Sequence, residues 1–159
     1  MVCVLLVQST FVEKLALFDV RPDLVLLTLV YVALSGGHIE GTLLGFFAGF
    51  LQDVYAPGHF GLNALVKSIV GFAVGYGHGS IVIENILTRG LILFGAAFGH
   101  DVVYFIFYYG GDWRPVLSSI LRYGLPTALY TMLLGVGISI LFSRTMGIVG
   151  KPKTQKPKA

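Results

Sequence analysis

The sequence predicts an all-α integral membrane protein with about six transmembrane helices. Hydrophobic residues make up 55% of the 159-residue chain and charged residues only 12%, against about 25% charged in soluble domains. The mean hydropathy is +0.82, and so little charge cannot supply the polar coat of a soluble globule of this size. The apolar residues also come in continuous runs, without the alternation of an outer-membrane strand. In a bilayer the helix is the element that satisfies its own backbone.

A span needs about 20 apolar residues to cross about 30 Å of hydrocarbon. The first candidate, Val2–Phe18, is interrupted by Gln8–Thr10 and by Glu13-Lys14. It lacks the basic start and small-residue cleavage site of a secretory signal, and it reads as the end of a longer helix. Asp19–Asp23, "DVRPD", is a polar turn, with Pro22 suited to the first turn of the next helix, where a missing N–H costs nothing. Leu24–Leu34 is wholly apolar but covers only about 16 Å as a helix. The stretch "SGGHIE" breaks it, and Gly41–Tyr55 resumes. These two helices either run on through their polar flanks, cross a thin or tilted region, or form a re-entrant pair.

The fourth span is Phe60–Val82, the fifth Leu87–Tyr109 and the sixth Leu125–Phe142. Between the last two, Gly110–Tyr123 reads "GGDWRPVLSSILRY". Aromatic amphiphiles favour the headgroup level, so a short helix lying along the interface is expected there. Residues 1–145 thus form one transmembrane domain, and 146–159 a disordered basic tail ending in the Lys/Pro-rich "KPKTQKPKA". Arg144 and four tail lysines are five of the chain's eleven basic residues, which places this end in the cytoplasm. With six spans the N-terminus is cytoplasmic too, and the loops Ala56–Phe60 and Gly110–Tyr123 face the periplasm. The tail lysines can also attract anionic lipid, at about 1 kcal/mol each. The single cysteine, Cys3, says nothing about redox compartment.

Glycines recur every four residues on both sides of the Pro-Gly loop. Gly41, Gly45 and Gly49 lead to Asp53; Asn63 and Lys67 lead to Gly71 and Gly75. Side chains four apart share a helix face, and small residues let membrane helices approach closely. An antiparallel hairpin mirrored about Gly58 pairs Asp53 with Asn63, Gly49 with Lys67, Gly45 with Gly71 and Gly41 with Gly75. A carboxylate at the end of such a helix is either clustered with Asn63 and Lys67, clamping the turn, or caps loop amides beside "APGHFG".

His100-Asp101 is a second polar intrusion. Neighbours on a helix diverge by about 100°, so they do not form a metal site together, and a buried hydrogen-bonded contact to another helix is expected. His38, His59 and His78 read as exposed loop residues. No metal-binding, phosphate-cradling or nucleophile-elbow motif is present. These features call for no enzyme activity, cofactor, metal or nucleic acid.

The order of features in "QSTFVEKLALFDVRPDLVLLTLVYVAL" and "EGTLLGFFAGFLQDVYAPGHFGLNALVKSIVGFAVG" resembles the rod shape-determining MreD family. Gln8-Ser-Thr closes the first helix, Pro22-Asp23 opens the second, a glycine-spaced third helix ends in Asp53, and Gly61-Leu62 opens the fourth. The likeness is clear over Gln8–Gly75 and is carried by hydropathy beyond Gly79. It implies a non-enzymatic, multi-pass subunit of the bacterial inner membrane within the cell-wall elongation complex. Partners then include the scaffold MreC, with MreB, RodA and a class B penicillin-binding protein in the wider assembly. The fold is expected to resemble substrate-binding subunits of energy-coupling-factor transporters. Pro22, Asp23, Gly45, Gly49, Asp53, Gly61, Asn63 and Lys67 are read as structural or partner-facing, and Trp113 and Arg114 as a possible periplasmic interface. The competing function is a small-solute-binding subunit of such a transporter, with Asp53, Asn63, Lys67 and His100 lining its pocket.

Overall fold

The computed structural model describes residues 22–55, 59–79 and 86–145, and they form helices without strands. The expected first span, the Ala56–Gly58 part of the loop, the end of the fourth span, and the tail beyond Thr145 lie outside the described residues. In chain order the helices are α1 (Leu24–Gly36), α2 (His38–Tyr55), α3 (Leu62–Tyr76), α4 (Ile86–Tyr108), α5 (Trp113–Ser119) and α6 (Leu125–Thr145).

α1 is apolar all round, and a helix of that kind must be covered all round. Val25, Leu26, Leu27, Leu29, Val30, Ala33 and Leu34 are all buried. They meet Val66 and Val70 of α3, Leu93, Ala96 and Ala97 of α4, and Ala128 of α6 in one core. α1 runs parallel to α6 at a constant offset. Asp23 N–H donates to Thr131 Oγ1 at 3.2 Å, and the Tyr31 hydroxyl meets the Ser139 hydroxyl. Between them, a Cβ added at Gly135 would lie 3.1 Å from Leu27.

The short spans extend into their polar flanks. α1 continues to Gly36 before Gly37, at φ 90°, turns the chain, and α2 begins at His38. Pro22 is not in the first turn of α1: Asp23 is the N-cap, its Oδ1 accepting from Leu26 N–H at 2.8 Å, so the proline precedes the cap. Among the described residues, Ile86–Tyr108 and the continuous stretch Trp113–Leu141 are the two long and apolar enough to cross a membrane, by length and composition.

That second stretch corrects the expectation of an interfacial helix in Gly110–Tyr123. The turn ends at Asp112, which caps α5, and a π-helical turn over Ile120–Gly124 carries α5 directly into α6. The wider turn absorbs an extra residue without breaking the axis. Gly124 sits at its end against Asp101 of α4, where a Cβ would lie 3.3 Å from that residue's own Cβ.

α2 and α3 pack more intimately than any other pair. The buried face of α2 is Gly41, Gly45, Ala48, Gly49 and Asp53, while Leu43, Phe46, Phe47 and Val54 face outward. Small residues inside and large ones outside suit a helix solvated by lipid. A Cβ at Gly41 would stand 2.4 Å from the Gly71 carbonyl oxygen, at Gly45 2.3 Å from that of Lys67, and at Gly49 2.3 Å from that of Asn63. The hairpin is therefore antiparallel as expected, but its backbone register is one turn from the expected one. Gly41, not Gly45, faces Gly71, and Gly75 meets His38.

Gly45→Val and Gly71→Val are expected to destabilise the purified protein by about 1–3 kcal/mol or more, because backbone, not a movable side chain, fills the space. Gly95 and Gly99 of α4 have nothing within 4 Å of an added Cβ. Gly95→Ala and Gly99→Ala should leave stability unchanged or raise it by about 0.5–1 kcal/mol. Melting curves in detergent check both pairs.

Candidate functional site

Asp53 is fully buried at the end of α2, level with the turn that opens α3. Gly61 occupies the N-cap of α3 at φ 93°, a left-handed conformation that suits glycine and leaves the helix without a side-chain cap. Asp53 supplies it from the neighbouring helix. Its Oδ1 accepts from Asn63 N–H at 3.1 Å and Asn63 Nδ2 at 2.9 Å, and its Oδ2 from Ala64 N–H at 3.0 Å. The negative charge also sits where the α3 dipole is positive.

Lys67 does not join this clamp, which corrects the expected Asp53–Asn63–Lys67 cluster. Its side chain is wholly buried and points into the bundle, with Nζ 2.5 Å from Asp23 Oδ2 and 3.3 Å from His100 Nε2. His100 Nδ1 lies 3.0 Å from Asp101 Oδ1. A lysine buried without partners is prohibitive, whereas a paired one is tolerated. Asp23 offers its carboxylate because it caps α1, and α1 begins level with Lys67. The cluster therefore joins the start of α1, α3 and α4, with Thr131 of α6 holding Asp23 from behind. His100 makes the contact to another helix expected of it, and Asp101 adds a bond to it within α4.

A ring column rises from this cluster. His100, Tyr104 and Tyr108 stack one turn apart, with centroids 6.0 and 5.8 Å apart, and Tyr108 meets His59 at 4.3 Å. The fourfold spacing of these α4 residues is readable in the sequence; the contact with His59 is not. His59 is exposed, as expected. His38 is exposed too, but it opens α2, and His78 is tied to the Leu34 carbonyl at 2.7 Å, closing the end of α1.

The remaining predicted residues lie apart from the cluster. Gly45 and Gly49 line the α2–α3 contact, and Pro22 is buried beside Asp23. Trp113 is 73% exposed and opens α5, followed by exposed Arg114. Arg122 lies over the Tyr123 ring at 5.5 Å. Because His59 touches Tyr108, the loop before α3 and the turn after α4 share one end of the bundle.

A family model described as rod shape-determining protein MreD matches residues 1–147. The chain belongs to the MreD family. It is thus a rod shape-determining membrane protein, of a family that works in the rod-shape complex with a scaffold partner. The match to the MreD model reaches well past Gly75, over the α4–α6 region that carried only a hydropathy likeness. No curated protein and no solved structure matches the chain. Among the described residues no three or more His, Cys, Asp or Glu side chains gather as metal ligands.

Two double-mutant cycles separate the clamp from the ion cluster. Lys67→Met and Asp23→Asn should couple strongly, since breaking a buried pair from one side costs about 3–5 kcal/mol. Lys67→Met and Asp53→Asn should add to within about 0.5 kcal/mol. Asp53→Ala, which strips the α3 amides, should cost about 1–3 kcal/mol by itself. Denaturation of the full chain in detergent measures all three.

Proposed function

We propose that this protein is a non-enzymatic, multi-pass inner-membrane subunit of the cell-wall elongation complex whose task is to bind the scaffold MreC. The family match carries the reading. The architecture supports it: Asp53, Asn63, Lys67, Asp23 and His100 direct their hydrogen bonds to one another and to a helix end. That use of polarity builds a rigid body, which is what a binding subunit offers. The same bonds weigh against the solute-binding alternative, because a pocket needs donors and acceptors left for a ligand.

MreB, RodA and a class B penicillin-binding protein complete the assembly in this reading. The end of the bundle bearing His59 and Trp113 faces the periplasm, following the basic tail at the other side. Trp113 and Arg114 are the contact we assign to the scaffold, because exposed tryptophan and arginine are the residue types that anchor interfaces.

Replacing both Trp113 and Arg114 by alanine is expected to weaken scaffold binding about thirtyfold, the equivalent of one interface anchor of about 2 kcal/mol. Pull-down of MreC from native membranes with the tagged full chain measures it. Undiminished recovery would remove this end of the bundle from the interface.

A further inference from the structure

We propose that His100 is a proton-binding site that couples the pH on the His59–Tyr108 side of the membrane to the joint between α3 and α4. The geometry of the ring dictates its protonation. An ammonium has hydrogens and no lone pair. With Lys67 charged, its bond to His100 Nε2 requires a lone pair on that nitrogen, and the Asp101 carboxylate accepts the hydrogen bond that Nδ1–H donates. The ring therefore stands neutral, in one tautomer, as a bridge from a cation on α3 to an anion on α4.

Such a bridge exists only while Nε2 is bare. Adding a proton there sets two N–H groups face to face across the 3.3 Å gap and places two cations against each other. The contact must open. Lys67 keeps its Asp23 partner and the imidazolium keeps Asp101, so the lost link is the one between α3 and α4.

The charged groups facing the ring are Lys67 from α3, Asp23 from the start of α1 and Asp101 from α4. Tyr104 stacks above it, and α6 contributes the uncharged Thr131 behind Asp23. Two carboxylates against one ammonium leave a negative charge, which one added proton neutralises. Imidazole is the side chain that changes charge near neutral pH.

The column on α4 runs from the buried ring toward the exposed end of the bundle, and we assign that side as the side of access. His100 is 6% exposed, Tyr108 at the top of the column 40%, and His59 beside it is exposed. Opening the contact removes the polar link between α3 and α4 and leaves their apolar packing, Val66 and Val70 against Leu93, Ala96 and Ala97, as what joins them.

The test uses the full chain in lipid nanodiscs, with ¹⁵N-labelled histidine. The His100 ring is expected to show the neutral, Nδ1-protonated signature at about pH 8 and a doubly protonated ring at about pH 5.5. The melting temperature should fall by several degrees over the same interval. His100→Gln presents a carbonyl to Lys67 and an N–H to Asp101 but takes up no proton, so its melting temperature should fall less than the parent's between the two pH values. A ring that stays neutral at about pH 5.5, or a His100→Gln chain that loses as much stability as the parent, overturns the proposal. Should the variant not fold, the ring spectrum of the parent decides. In oriented proteoliposomes, acidifying the His59 side alone must protonate the ring; a response only to the opposite side overturns the assigned access.

Discussion

One buried lysine fixes the arrangement of four helices. The Lys67 carbonyl is the surface against which Gly45 of α2 lies, so close that a methyl group does not fit. Its ammonium holds the N-cap of α1 through Asp23 and reaches α4 through His100. Backbone and side chain of the same residue thus set two distances that are hard to vary independently. A longer Gly45–Lys67 separation would tilt α3 and withdraw the ammonium from its carboxylate. Removing a charge partner in a low-dielectric interior is far more costly than any single apolar contact is worth.

From that constraint the division of labour follows. Hydrophobic burial gives little drive between helices already in oil, so the core of α1 with α3, α4 and α6 is held by fit and by a few polar bonds. Those bonds stand where helices begin. Asp23 caps α1, Asp53 caps α3 from outside, and Asp112 caps α5. Each carboxylate satisfies amides that a helix cannot satisfy itself, and one of them doubles as the counter-charge for Lys67.

Much of this was legible before the fold was known. The all-helical class, the antiparallel α2–α3 hairpin, and the Asp53–Asn63 contact all follow from apolar runs and a spacing of four. The backbone register did not, and the reason is directional. Amides of a helix project toward its start, so Asp53 reaches Asn63 and Ala64 along the axis of α3 from one turn away. Pairing Asp53 level with Asn63 therefore slides every glycine by four residues. The partner of Lys67 was hidden for another reason: Asp23 lies 44 residues away in sequence, and no local pattern marks which helix end reaches a buried ammonium. The π turn at Ile120–Gly124 was equally silent, since nothing in Ile-Leu-Arg-Tyr-Gly marks a wider turn, and the place of Gly124 against Asp101 and Phe105 is a tertiary contact.

The clamp and the ion cluster differ in what can disturb them. Asp53 binds only amides of the backbone and of Asn63, groups that neither gain nor lose protons near neutral pH. The cluster around Lys67 contains an imidazole, and its bond to the ammonium depends on a single lone pair. Rigid packing within the hairpin and a titratable link beyond it therefore sit on the two ends of one short stretch of α3, from Asn63 to Lys67. At these two ends the backbone of α3 lies against the glycine-lined face of α2 with no room for a methyl group, so the clamp and the ion cluster share one closely packed helix.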